Sequence, residues 1–176
     1  MRARAYGEAG ADRRGRRPAR VVVGVSGSLA SLAALRVAAQ EARRGGATLV
    51  AVTAWSPPEG ERAYLRRPDR DWLRHWQGEA RARLDLAFDE VFGGTPTGVP
   101  SVERRVVRDR PGPALCAVAC GPDDRVVVGA ARAGRVRRYV LAHARVPVLT
   151  VPAPAVPRRV RRALRRATVA DIVAGP

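Results

Sequence analysis

The chain has 176 residues, of which 46% are apolar, so length and composition suit one globular domain rather than a disordered chain. Its formal net charge is +17, and all 33 basic residues are arginine. No segment approaches the roughly 18 apolar residues that a membrane span needs. The arginine-rich start lacks the apolar core of a secretory signal. We therefore expect a cytoplasmic protein without a membrane span.

Over half of the excess positive charge lies in the two ends of the chain. Residues 1–20 hold seven arginines and two acidic residues, and residues 153–176 hold six arginines and one. We expect residues 1–19 to form a basic disordered tail and residues 153–176 a second basic tail, in which a short helix could form. Such tails attract nucleic acid, anionic surfaces or acidic proteins. A solvated tail without a partner is the simpler interpretation.

Five segments predict the strands of one sheet, because strands covered on both faces read as continuous apolar runs. They are residues 20–25, 47–55, 102–107, 125–129 and 146–151. The third segment is more polar, so we expect it nearer a sheet edge. Four helices are predicted between them, over residues 28–44, 69–92, 112–120 and 135–144, with a polar loop over 56–68. Strands that alternate with helices are typical of a doubly wound α/β domain with a mainly parallel sheet. We assign this domain to residues 20–152.

Two glycine-bounded turns mark the expected ligand crevice. In a doubly wound sheet, ligands bind at the carboxyl ends of the strands that flank the switch in strand order. The first and fourth strands both end in glycine followed by a turn, so the sequence places the crevice between them. The candidate binding residues are Gly24, Ser26, Gly27 and Ser28 in the first turn, and Gly129, Arg132, Gly134 and Arg135 in the second.

The segments VVVGVSGSLASLAAL, EARRGGATLVAVTAW and VLAHARVPVLTVP resemble the universal stress protein family, and its actinobacterial members in particular. The resemblance covers about residues 20–152. It implies a five-stranded parallel sheet of order 3-2-1-4-5, which is a Rossmann-like fold of the adenine-nucleotide alpha hydrolase type. It also implies a homodimer, commonly formed through the last strand. Many members bind ATP as a regulatory ligand, whereas a second branch binds none.

The ATP motif of the family is altered on both sides of the crevice. Where the ATP-binding branch has an aspartate after the first strand, this chain has Ser26. Gly129 matches the first glycine of the second loop, but Arg132 stands at the second glycine, and Gly134-Arg135 replaces Gly-Ser. The loop is roughly eight residues shorter than the full one, whose backbone N–H groups hold the phosphates. The resemblance therefore implies a degenerate motif.

Arginines near the shortened loop leave two interpretations open. Arg132, Arg135, Arg137 and Arg138 could hold a monophosphate or another small anion, because guanidinium groups pair bidentately with phosphate oxygens. Alternatively, the site has decayed and the arginines are simply exposed.

Catalytic and metal-binding patterns find no support in the sequence. His75 and His143 fall on distant predicted helices without a neighbouring nucleophile, and a Gly-x-Ser-x-Gly elbow is absent. Cys116 and Cys120 lie four residues apart on a predicted helix, and we interpret them as small buried thiols rather than a disulfide or metal ligands. We predict that the protein is not an enzyme.

Three functions follow from these observations. The altered motif favours a non-enzymatic stress-response module that acts through dimerisation and protein contacts, without ATP or another cofactor. The second is a regulator that binds ATP, AMP or another phosphate anion at the altered loop. The third is nucleic-acid or polyanion binding through the arginine-rich tails.

Overall fold

The computed structural model describes residues 19–130 and 134–155. It consists of a parallel five-stranded sheet with helices on both faces. The predicted basic tails lie outside these residues, apart from their innermost positions. The strands are β1 (Arg20–Gly24), β2 (Thr48–Trp55), β3 (Ser101–Arg108), β4 (Arg125–Ala130) and β5 (Val148–Pro152). The helices are α1 (Leu29–Gly45), α2 (Glu61–Arg66), α3 (Arg70–Phe92), α4 (Pro111–Val118) and α5 (Arg135–His143).

The strand order is β3-β2-β1-β4-β5, and every neighbouring pair is parallel. This confirms the fold class and the order that the family resemblance implied. The chain moves outward from β1 to β3, then crosses back to place β4 on the other side of β1. The order therefore reverses between β1 and β4, where a doubly wound sheet opens a crevice.

Two apolar clusters hold the helices against the sheet. Side chains alternate between the faces of a strand, so Val21 and Val23 join one cluster while Val22 joins the other. The first cluster includes α1 and α3, with Leu35 and Phe88 fully buried within it. The second includes residues of α4 and α5. The central strand β1 is therefore covered on both faces, as its unbroken apolar sequence predicts.

Side-chain caps fix where the two long helices begin. Ser28 accepts a hydrogen bond from the Ser31 backbone N–H at the start of α1. Asp69 caps α3 by accepting from the backbone N–H groups of Asp71 and Trp72. Such caps satisfy donors that a helix leaves without intrahelical partners.

The predicted loop over residues 56–68 is wrong in part, because it contains α2. Glu61 receives two hydrogen bonds from the Arg108 guanidinium, at 3.0 and 2.8 Å. The same guanidinium lies over the ring of the buried Tyr64, 4.5 Å from its centroid. These contacts hold a six-residue helix against β3. A helix of six residues is too short to be predicted from the periodicity of its own sequence.

The prediction that both cysteines are buried on one helix is wrong for Cys120. Helix α4 ends at Val118, so only Cys116 lies on it. Both thiols are free, with Cys116 half-buried and Cys120 exposed. Burial raises the pKa of the Cys116 thiol.

A buried ion pair lies at the amino end of the sheet. Arg20 and Asp124 have side chains only 3% exposed. The Arg20 Nε donates to Asp124 Oδ1 at 3.1 Å, and Nη2 donates to Asp124 Oδ2 and, at 2.8 Å, to the Val118 carbonyl. The hydrogen bond to Asp124 raises the pKa of Arg20 above its usual value. The pair joins β1 to the turn before β4.

Candidate ligand-binding cleft

A cleft of about 310 Å³ opens at the carboxyl ends of β1, β2 and β4, where the strand order reverses. Six of the eight predicted binding residues line it: Gly24, Ser26, Ser28, Gly129, Gly134 and Arg135. Gly27 is not among the lining residues, and Arg132 lies outside the described residues. The structure thus brings the two predicted turns to one cleft.

Hydroxyl groups of the first turn form one wall of the cleft. The Ser26 and Ser28 hydroxyls lie 3.2 Å apart. Ser31, which sequence reasoning missed, accepts a hydrogen bond from the Ser26 backbone N–H at 3.2 Å and donates to the Ser28 carbonyl at 2.9 Å. Ser28 and Ser31 are therefore committed to the start of α1. The exposed Ser26 hydroxyl is the one most available to a ligand.

Two predicted binding glycines also have backbone roles. Gly27 has φ +77°, in the left-handed region that favours glycine, so the turn itself requires it. A Cβ at Gly129 would lie 2.5 Å from the backbone C and O atoms of Ala30, closer than any real contact. The missing side chain of Gly129 therefore lets β4 pass close to α1.

The amino terminus of α5 faces the cleft without a side-chain cap. Gly134 occupies the N-cap position with φ 42° and makes no side-chain hydrogen bond to the helix. The first turn of α5 contains no acidic residue. Uncapped backbone N–H groups and the positive end of the helix dipole together favour an anion at this point.

Three arginines at the cleft have no partner among the described residues. Arg83, Arg135 and Arg137 line it, and none makes a hydrogen bond or ion pair with any described residue. The Nε atom of Arg137 is buried and has no acceptor there. The described lining residues include no carboxylate. Arg138, which the sequence also suggested, does not line the cleft.

Arg83 was missed because its position depends on how α3 packs. Ala80 and Leu84 are buried against the sheet, so Arg83 lies at the border of the buried face. Its methylenes pass close to Gly27, with Cγ 3.8 Å from the ideal Cβ position there. The spacing of Ala80 and Leu84 is the one feature of the sequence that could have placed Arg83 next to the buried face of α3.

The floor of the cleft is apolar. It is formed by Val25, Val52, Leu115 and Val128, and the Thr53 hydroxyl is satisfied by the Val25 carbonyl at 3.1 Å. A second cleft of about 280 Å³ adjoins the first and shares Ala54, Arg83 and Pro111 with it.

Neither histidine lies at these clefts. His75 stacks on Trp72, and His143 stacks on Tyr139 while its Nδ1 lies 2.8 Å from the Tyr139 carbonyl oxygen. Within residues 19–130 and 134–155, no group of three metal-ligating side chains comes together. In that same part of the chain, no helix is both long and apolar enough to cross a bilayer.

The reversed strand order and the cleft at its crossing point define a doubly wound α/β protein. The sequence profile of the universal stress protein family matches residues 19–152, most of the chain. The chain therefore belongs to the universal stress protein family.

Solved structures of universal stress proteins with TM-scores above 0.5 share the fold. UspA from Lactobacillus plantarum is 19% identical with a TM-score of 0.58, over 78% of this chain and 99% of that one. The Archaeoglobus fulgidus protein in complex with dAMP is 22% identical with a TM-score of 0.52, over 76% and 96%. A universal stress protein in complex with cAMP is 29% identical with a TM-score of 0.49, over 78% and 98%. No curated protein matches the chain.

Proposed function

We propose that this chain is a non-enzymatic regulatory protein that binds a mononucleotide, or a phosphate-bearing anion of similar size, in the first cleft. The observation that carries the proposal is a set of three arginines that have no partner in the described part of the chain. They line a cleft whose described lining has no carboxylate. Unpaired cations at a concave site favour an anionic ligand, since desolvating them without a counter-charge is costly. Of the three functions considered from the sequence, this geometry favours the second.

The size and chemistry of the cleft favour a monophosphate over a triphosphate. Its volume of about 310 Å³ lies at the lower end of the range for ligand pockets. Mg²⁺, which accompanies triphosphates, prefers carboxylate and water oxygens. This chain has Ser26 at the position after the first strand where ATP-binding relatives are expected to have an aspartate. The shortened loop also supplies fewer backbone N–H groups for a chain of phosphates.

The two sides of the cleft suit the two parts of such a ligand. We place the phosphate at the amino terminus of α5, where Arg135 and Arg137 lie within the same helical turn. The planar base then covers the apolar floor, and the Ser26 hydroxyl faces the sugar. Binding would order the arginines without chemical change, as expected of a regulatory ligand.

Calorimetry and thermal unfolding test this proposal with AMP, dAMP, ATP and inorganic phosphate. We expect AMP and dAMP to raise the melting temperature by mass action, and to bind more tightly than ATP. Arg135→Ala should weaken AMP binding about tenfold, because hydrogen bonds to charged groups contribute about 1.5–3 kcal/mol each.

Arg36→Ala is the matched control, because Arg36 is exposed on α1 and does not line the cleft. It should leave AMP binding unchanged and report any general effect of lowering the net charge. If no ligand shifts the melting temperature of the full chain, or if both variants weaken binding equally, the cleft is not the site.

Self-association is a second candidate function, and it is compatible with the first. Strand β5 is an edge strand, hydrogen-bonded within the described sheet to β4 alone. Leu149 on this strand is 43% exposed and Leu141 on α5 is 55% exposed. Edge strands with exposed apolar residues readily pair with another chain. We propose a homodimer through β5.

Light scattering on the full chain tests the dimer. The parent should have the mass of two chains, and Leu149→Arg should have the mass of one with unchanged AMP affinity. A monomeric parent would contradict the proposal. Binding of nucleic acid or a protein partner through the tails stays a prediction, because the tails lie outside the described residues.

A further inference from the structure

Arg83 reaches the first cleft from the side opposite to the other two arginines. Helix α3 packs on one face of the sheet through Leu84, and α5 packs on the other face through Val140. Arg83 on α3 therefore enters the cleft from one side, and Arg135 and Arg137 on α5 enter it from the other. A phosphate at the amino terminus of α5 accounts for the pair on α5 and leaves Arg83 unexplained.

The Arg83 side chain lies against the first turn of the cleft. Its Cγ and Cδ atoms are 3.8 and 4.0 Å from the ideal Cβ position of Gly27. Gly27 follows Ser26, whose exposed hydroxyl faces the sugar in the proposed placement of the nucleotide. Arg83 is exposed as well, so a ligand can reach its guanidinium. In that placement the sugar is the part of the nucleotide nearest to Arg83.

No carboxylate pairs with Arg83 in the described part of the chain. Its guanidinium makes no hydrogen bond or ion pair there. Asp85, two residues further along α3, pairs with two other arginines. Asp109 lines the second cleft together with Arg83, but it forms no ion pair with it and accepts a hydrogen bond from the Arg110 backbone N–H at 2.6 Å. A ligand can therefore supply the counter-ion.

Ser26 leaves the first turn without the negative charge that would oppose an anion at the sugar. The family resemblance implies an aspartate at this position in ATP-binding relatives, and a carboxylate there would repel a phosphate on the ribose. In dinucleotide-binding folds an acidic residue selects a free ribose hydroxyl, whereas an arginine accommodates a phosphate on that hydroxyl. A neutral serine beside the unpaired Arg83 is a combination of the second kind.

We propose that the nucleotide in the first cleft carries a second phosphate on its ribose, at the 2′ or 3′ position, and that Arg83 pairs with it. The 5′-phosphate remains at the amino terminus of α5, so the two phosphates are held from opposite sides of the cleft. Arg83 is then a specificity-determining residue, because its planar guanidinium pairs bidentately with phosphate oxygens. This assignment rests on the proposed nucleotide site and names the class of its ligand as a nucleoside bisphosphate.

Four adenine nucleotides separate recognition of a ribose phosphate from general attraction between charges. Adenosine 2′,5′-bisphosphate and adenosine 3′,5′-bisphosphate carry the second phosphate on the ribose, ADP carries it on the first phosphate, and AMP has none. In calorimetry with the full chain, one of the bisphosphates should bind at least about tenfold more tightly than AMP, and ADP should gain less than about threefold. The tighter bisphosphate identifies the ribose position.

The outcomes distinguish this assignment from the nucleotide site on which it rests. If none of the four ligands binds, the nucleotide site itself is wrong, and the assignment of Arg83 is wrong with it. If AMP binds but neither bisphosphate binds more tightly, the nucleotide site stands and the role of Arg83 is overturned. An equal gain from ADP and the bisphosphates would show attraction by charge alone, which also overturns it.

Variants assign the gain to a residue through the ratio of bisphosphate affinity to AMP affinity, in which a general loss of binding cancels. Arg83→Gln should bring this ratio to about one, and Ser26→Asp should lower it about tenfold by repulsion. Arg135→Ala should weaken both ligands and keep the ratio. Arg74→Gln is the control, because Arg74 lies on the same helix, is exposed and lines neither cleft. A ratio that survives Arg83→Gln or Ser26→Asp contradicts the proposal.

Phosphorus resonances give a readout that a merely structural role of Arg83 would not move. Each bisphosphate has one signal for the ribose phosphate and one for the 5′-phosphate. Binding of the tighter bisphosphate to the parent should shift both signals, whereas binding to Arg83→Gln should shift the 5′ signal alone. A ribose phosphate signal that keeps its free position in the complex with the parent would show that Arg83 does not pair with it, which overturns the proposal.

Discussion

The two ends of the sheet hold arginines in opposite states. At the amino end, the Arg20 guanidinium is buried. It pairs with the Asp124 carboxylate and donates a hydrogen bond to the Val118 carbonyl. At the carboxyl end, Arg83 and Arg135 have no partner in the described chain. The difference follows from burial, because a charge removed from water must be paired, whereas one at an open cleft can remain available.

This comparison separates structural arginines from those proposed to bind a ligand, in a chain that contains 33 arginines. Arg104 is a further structural case. It donates to Asp85 Oδ1 at 2.8 Å and to the Gly94 carbonyl at 3.2 Å, and it lies over the Phe88 ring at 4.0 Å. Residue type and net charge do not distinguish these arginines from those at the cleft. The partners of each guanidinium do.

Breaking the buried pair should have the largest effect. Asp124→Ala leaves the Arg20 guanidinium buried without its counter-charge, which costs about 3–5 kcal/mol of unfolding free energy in comparable pairs. Denaturant unfolding measures this. Replacing both partners, as Arg20→Met with Asp124→Leu, should cost less than Asp124→Ala, because no uncompensated charge remains.

Glu41→Ala is the control for that measurement. Glu41 pairs with Arg44 and Arg125 at 3.5 Å in each case, and both arginines are mostly exposed. Exposed pairs contribute less than about 1 kcal/mol. If Asp124→Ala and Glu41→Ala destabilise equally, the Arg20 pair is not a structural element of the amino end.

The second prediction concerns a glycine at the carboxyl end that the sequence assigned to ligand binding. Gly129→Ala should cost about 1–3 kcal/mol, as overpacking does, since the new Cβ would lie 2.5 Å from the Ala30 backbone. Gly78→Ala is the matched control, because Gly78 lies in α3 with open space around it and should gain up to about 1 kcal/mol. If Gly129→Ala keeps the parent's stability and loses only AMP binding, then the main role of Gly129 is in ligand binding rather than in packing.

The sequence predicts the strands and the location of the cleft well, for a local reason. Continuous apolar runs and the glycines that follow them are properties of short segments. Gly24 ends β1 and Gly129 lies one residue before the end of β4, so they locate both sides of the cleft before any tertiary contact is known. The strand order, by contrast, came from family resemblance, because periodicity does not say which strands are neighbours.

What the sequence does not predict depends on contacts between distant residues. Arg20 and Asp124 are 104 positions apart, so Arg20 was counted with the basic end of the chain. Helix α2 depends on Arg108, which lies 47 positions from Glu61. Arg83 reaches the cleft only because α3 packs with Ala80 inward. In each case the partner, rather than the local pattern, fixes the role.

The third prediction uses pH to test a partly exposed pair. Burial alone would raise the pKa of Asp85, but hydrogen bonds from Arg104 and Arg81 outweigh it and hold that pKa below its usual value. The stabilisation is therefore complete above the unfolded pKa of about 3.9 and disappears as the pH falls through the lower folded pKa. Because the carboxylate is partly exposed, the loss should stay below about 1 kcal/mol.

Unfolding experiments between about pH 6 and about pH 2.5 should show this loss in the parent, and a smaller one in Asp85→Asn. High salt should reduce the difference, because it screens exposed pairs. Identical pH profiles for the two proteins would show that Asp85 keeps an ordinary pKa in the folded chain.

The smallest effect on stability should come from the arginines at the cleft, where the contrast with Arg20 is sharpest. Arg137→Met keeps a long apolar stem and removes a buried Nε that has no acceptor in the described chain, so unfolding free energy should change by less than about 0.5 kcal/mol or rise. AMP should bind more weakly to the same variant. A loss of more than about 1 kcal/mol without ligand would mean that Arg137 has a structural partner. We therefore expect unchanged stability together with weakened AMP binding for a substitution of Arg137. A substitution of Arg20 should not give this result, because it would remove buried hydrogen bonds to Asp124 and Val118.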